Sequence, residues 1–139
     1  MTDLQTAKEN LAGHTICLCR EGNCLYSEKK GIAPMMDFIA GGVDLRGCSV
    51  ADLVVGKAAA MLFVRCGIIS VFAKTLSQSG KAILEKYGIP VDYEVLTEKI
   101  INRTGTDICP MEKAVCNTED PEEAYFLLQN QCRLLREKK

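Results

Sequence analysis

Residues 68–75, Ile-Ile-Ser-Val-Phe-Ala-Lys-Thr, are apolar on both faces of an extended chain, with only Ser70 and Lys74 as exceptions. A strand with two apolar faces must be covered on both sides, which is the position of a central strand between layers of helices. The neighbouring segments supply such helices. Residues 52–66 read as a helix or as a loop entering one. Residues 58–64 are apolar on nearly every side, and Gly67 ends the run. Residues 79–87 form a second helical pattern closed by Gly88 and followed by Pro90, and residues 92–96 read as another strand.

The remaining segments complete the frame. Asp3 is placed to cap a helix over 3–11 with Leu4, Ala7 and Leu11 on its apolar side, closed by Gly13. Strands at 14–19 and 24–27 flank the turn Glu21-Gly22-Asn23, which predicts a hairpin. A short helix is expected at 35–40, ended by Gly41 and Gly42. Residues 102–107 read as a polar loop. Cys109-Pro110-Met111-Glu112 and Asp120-Pro121-Glu122-Glu123 each open a helix, with proline at a first-turn position. The order α-β-β-α-β-α-β-α-α over 1–139 predicts one domain, a three-layer α/β/α sandwich with a mixed sheet.

Composition excludes several classes. Lys plus Arg is 17 and Asp plus Glu is 18, so there is no basic excess for general nucleic-acid binding. No apolar run approaches the ~20 residues that span a bilayer. The first ten residues lack the apolar core of an export signal, so the expected setting is the cytoplasm, where thiols stay reduced. The chain has 8 cysteines and 1 histidine, and no cysteine pair has the Cys-x-x-Cys spacing of zinc ribbons or dithiol redox sites.

The chemistry-bearing residues fall in three places. Gly56-Lys57-Ala58 and Gly80-Lys81-Ala82 repeat at an offset of 24 residues, each at or near a helix start. Lysine is unfavourable beside the positive end of a helix. A bound anion, a carboxylate such as Asp52, or a depressed lysine pKa would compensate, and the last would make Lys57 a base or nucleophile. Lys81, beside Glu85 and Lys86, reads as a residue on an exposed helix face. Neither segment is a P-loop. Cys109, before Pro110 at a helix start, is a second candidate nucleophile, although a capping or packing role fits it better. Glu112 and Asp107 are acids or bases in one reading and plain helix-start stabilisers in the other. Cys17, Cys19 and Cys24 are the third place. With His14 they would make a Cys3His set, but packing of cysteine as a small hydrophobe is the favoured reading.

The element order, hairpin then helix, strand, helix, strand, resembles the cytidine-deaminase-like fold. Zinc deaminases of that fold carry His-x-Glu at one helix start and Pro-Cys-x-x-Cys at the next. The resemblance lays Val55 on the first ligand, Lys57 on the acid–base glutamate, and Ser77 and Gly80 on the two cysteine ligands. Zinc-dependent deamination is therefore not expected, nor is any metal or cofactor. The stretch 52–60 and Cys109-Pro110-Met111-Glu112 are also similar to motifs of a small prokaryotic family of unknown function with a deaminase-like fold. The resemblance implies that the two helix starts face one pocket, lined by Lys57, backbone N–H groups, Ser77, Ser79 and Lys81.

The expected ligand site thus comprises Asp52, Gly56, Lys57, Thr75, Ser77, Ser79 and Gly80. It would take a small anionic or nucleotide-like molecule. Two other functions compete: a hydrolase or transferase using Lys57 or Cys109, and a cysteine-ligated metal or redox protein. Deaminase-like folds often form oligomers, and residues 35–39 fit a homo-oligomer interface or the core equally well.

Overall fold

A computed structural model of the chain describes residues 2–100 and 109–137. The polar segment expected at 102–107, Asp107 included, lies outside the described residues. Helix α1 (Asp3–Glu9) leads into the hairpin of β1 (Ile16–Arg20) and β2 (Asn23–Ser27). Then follow α2 (Ala33–Ala40), β3 (Ser49–Val55), α3 (Lys57–Cys66), β4 (Ser70–Ser77), α4 (Gln78–Lys86) and β5 (Val91–Thr97). Helices α5 (Pro110–Val115) and α6 (Pro121–Glu137) close the chain. The sheet order is β2-β1-β3-β4-β5. Strand β1 runs antiparallel to both β2 and β3, while β3, β4 and β5 are parallel. The protein is thus an α/β fold with a mixed sheet, as the sequence predicts.

The two faces are unequally covered. On one, Leu4 and Ala7 of α1, with Leu11 just beyond the helix, pack over Cys17, Cys19, Ala51 and Phe72. The larger core lies on the other face, where α3 is surrounded: residues 58–63 are all buried. Met35 of α2 is buried in this core, with Met36, Phe38 and Ile39 packed against it. Met35 is thus a core residue, while Met36, Phe38 and Ile39 are half-buried at the edge of the core.

Three sequence expectations change. A fifth strand, β3, occupies 49–55, where the helical reading began at Asp52. This strand is central and covered on both faces, so its apolar residues do not alternate with polar ones, and Asp52 mimics a helix cap. Strand β4 runs to Ser77, two residues beyond the expected end, and Ser77 rather than Ser79 starts α4. The first helix is capped by Thr2, whose side chain accepts from Gln5 N while Gln5 reaches back to Thr2 N. Asp3 instead clamps the hairpin turn, accepting from Glu21 N at 3.0 Å and Gly22 N at 3.2 Å.

Candidate functional site

Parallel neighbours β3 and β4 end at the same edge of the sheet, so the helices that follow them start side by side. Gly56 is the N-cap of α3 and Ser77 the N-cap of α4. Ser77 is fully buried, and its Oγ accepts from Gly80 N at 2.9 Å. Ser79 Oγ lies 3.2 Å from Ser77 Oγ. Gly80 is where the two helix starts meet. A methyl group there would stand 3.0 Å from the carbonyl carbon and oxygen of Gly56 and 3.1 Å from the oxygen of Val55.

These neighbours of Gly80 are backbone atoms, which move only if the β3–α3 turn moves. Gly80→Ala should therefore destabilise the protein by about 1–2 kcal/mol, although alanine is the better helix former by roughly 1 kcal/mol. Urea unfolding measures this, and a variant more stable than wild type would refute the close approach.

The compensation expected beside Lys57 is present, and Glu112 of α5 provides it. Lys57 N donates to Glu112 Oε1 at 2.7 Å, and Ala58 N donates to Glu112 Oε2 at 2.7 Å. Gly56 has no side chain with which to cap α3, so a carboxylate from another helix does so. The same short helix receives the lysine side chain: Lys57 Nζ donates to Cys116 O at 3.1 Å. Glu112 and Cys116 thus hold the backbone and the ammonium of one residue. Burial pushes the Glu112 carboxyl above the usual range, opposed by the N–H groups of Ala58 and Lys57 and by the Lys57 charge. Of the two roles weighed for Glu112 the structure shows the helix-start stabiliser, but for α3 rather than for its own helix.

Gly56 is glycine for a steric reason. Its φ of −104° and ψ of −170° suit any residue. A methyl group there, however, would overlap Glu112 Oε1 and stand 2.6 Å from Glu112 Cδ and 2.8 Å from Ile100 Cγ1. The Gly56-Lys57 pair is thus shaped to receive Glu112. Nothing in the local sequence pairs Glu112 with Lys57, 55 residues away.

The other predicted residues are more dispersed. Asp52 lies within β3, opposite Ile16 and Ala73, and is 7% exposed. Burial pushes its carboxyl up to about 8, against the backbone N–H groups of Leu53 and Val54 beside it. Asp52 is therefore mostly neutral at pH 7. Thr75 is half-buried in β4, between Val54 and Val95. Lys81 is half-buried and pairs with Glu85 at 3.1 Å along α4. Cys109 is the N-cap of α5, but its side chain makes no capping bond.

The cysteines depart from the expectation of reduced packing thiols, since Cys19 and Cys24 form a disulfide. They are direct partners across the hairpin, which brings their side chains together on one face. Nor does His14 complete a set with the three cysteines. It lies two residues before β1, with its Nδ1 3.1 Å from Glu28 Oε1 and its ring against Tyr26.

Among the described residues, no helix is long and apolar enough to cross a membrane. No curated protein matches this chain. A crystal structure of a DUF1893 family protein from Thermotoga maritima is similar over 94% of this chain and 91% of that one, with a TM-score of 0.84 and 24% identity. A Thermotoga maritima diaminohydroxyphosphoribosylaminopyrimidine deaminase/5-amino-6-(5-phosphoribosylamino)uracil reductase shares 16% identity at a TM-score of 0.45. That match covers 66% of this chain and 35% of that one. Residues 7–132 match the family described as a domain of unknown function, DUF1893, and the chain belongs to that family.

Proposed function

We propose that the paired starts of α3 and α4 form a binding site for a small anionic, phosphate- or nucleotide-like ligand, and that Glu112 is the internal anion such a ligand displaces. The observation that carries this reading is the two-pronged grip of the Glu112 carboxylate on consecutive N–H groups. Two phosphate oxygens can take the same pair of donors. Lys57 would add its charge on release from the Cys116 carbonyl, and Ser79, exposed at the start of α4, would add a hydroxyl. The raised Glu112 carboxyl favours the exchange, because its buried charge is costly to keep. On this reading the protein is a binding module without a resident cofactor. Its setting is the cytoplasm of a prokaryote, where nucleotides and phosphate are abundant.

Glu112→Ala exposes the two donors and tests the idea. Inorganic phosphate and a nucleoside monophosphate, each at 10 mM, should raise the variant's Tm by about 3 °C or more and the wild type's by less. Both should also shift the Lys57 and Ala58 amide resonances of the variant. Unmoved amides together with an unchanged Tm would overturn the reading.

A further inference from the structure

Beneath α1, on the face of the sheet away from Lys57, three sulfur atoms lie together. Cys17 and Cys19 are two residues apart on β1 and share a face, and Cys24 lies opposite Cys19 on β2. Cys17 Sγ is 3.6 Å from Cys19 Sγ, and all three Sγ atoms lie within 4.8 Å of one another. Cys17 and Cys19 are fully buried among Ala7, Leu11, Ala51 and Phe72, whereas Cys24 is half-buried at the rim. We propose that, once the Cys19–Cys24 bond is reduced, these three residues form a three-thiolate site for a thiophilic d10 ion, and that the ion is monovalent copper.

The geometry suits that ion. Three sulfurs at ~2.3 Å from a shared metal in a trigonal plane stand about 4 Å apart. The Cys17–Cys19 separation already approaches this, and reduction lets the Cys24 sulfur move out to it. Structural zinc takes four ligands, and among the described residues no histidine, carboxylate or fourth cysteine joins the cluster. Soft thiolates with no hard donor select monovalent copper.

The chemistry balances with a small thiol as reductant. Two equivalents of thiol cleave the Cys19–Cys24 bond, giving two protein thiols and one external disulfide. The ion then binds three sulfurs, and three thiol protons pass to solvent. The disulfide form holds the site closed, so metal binding and oxidation exclude each other.

The test titrates the reduced full-length chain, without oxygen, with monovalent copper held by bicinchoninate. One equivalent should transfer to the protein, and X-ray absorption should show three sulfur neighbours. Disulfide-bonded protein should take up at least tenfold less. Cys17→Ala and the rim variant Cys24→Ser, each checked for folding by circular dichroism, should lose at least 100-fold in affinity. Cys116→Ser, outside the cluster, should retain it. Equal uptake by the disulfide form, by Cys17→Ala or by Cys24→Ser would overturn the site. Tetrahedral zinc bound by the reduced chain with a fourth protein ligand would overturn the choice of ion.

Discussion

Replacing Asp52 by asparagine should abolish most of the loss of stability that the wild-type protein suffers as the pH rises from about 4 to about 8. The carboxyl is buried in the middle of the sheet, and its folded-state pKa is about 8 against an ordinary value of 3.8. Below the ordinary value both states hold the proton. Between the two values the folded state holds it and the unfolded state releases it. Stability therefore falls with rising pH across this window, and the contribution is gone above the folded value. The interval is worth at most roughly 6 kcal/mol. Asparagine has the same shape and carries no charge at any pH in this range. At pH 4 the variant and wild type should be similar in stability, and at pH 9 the variant should be the more stable by about 3–5 kcal/mol. The raised Glu112 carboxyl acts with the same sign and leaves a smaller slope in the variant. Urea unfolding at a series of pH values measures both curves. Parallel curves would show that Asp52 does not titrate in this way.

Gly56→Ala should be among the most damaging single-methyl additions in the chain, costing about 3–5 kcal/mol. The backbone at Gly56 tolerates alanine, so the cost is steric and falls on Glu112. A displaced carboxylate leaves the N–H groups of Lys57 and Ala58 without their acceptor at the start of the helix that fills the main core. Glu112→Ala alone should cost about 2–3 kcal/mol, because it removes the acceptor without forcing the chain apart. Added to Glu112→Ala, the Gly56 methyl group then meets chiefly Ile100 and should cost only about 1 kcal/mol more. The double-mutant cycle is the measurement. Additive costs would mean that the methyl group and the carboxylate do not compete for the same space.

Residues whose signal is local were legible in the chain itself. Gly67 and Gly88 mark two helix ends, and both adopt left-handed φ angles, 76° and 73°. Pro110 and Pro121 mark two helix starts. The doubly apolar segment containing Val71 and Phe72 implied a central strand, and β4 contributes to both cores. Strand β3 is hidden in the sequence because Asp52 sits like a helix cap and the apolar run of α3 follows after a single glycine, so 52–55 read as the entry to that helix. At the candidate site, the repeated Gly-Lys-Ala at helix starts singles out Gly56, Lys57 and Gly80, whereas Ser77 enters only through the resemblance to the deaminase motif. The sequence left the role of Glu112 open, because a carboxylate in the first turn of its own helix already has a local explanation.

The sequence by itself determined the α/β class, most of the helices and strands, and the presence of a lysine at a helix start that needs a compensating charge. These follow from residue period, turn residues and the helix dipole, which act over a few positions. Only the tertiary structure decided that the compensating charge is Glu112, 55 residues distant, that Asp52 is buried and mostly neutral at pH 7, and that Cys19 bonds to Cys24 with Cys17 beside them. Desolvation and partner choice depend on which distant segments share a volume, and that volume exists only once the sheet has formed and α1 and α5 have packed.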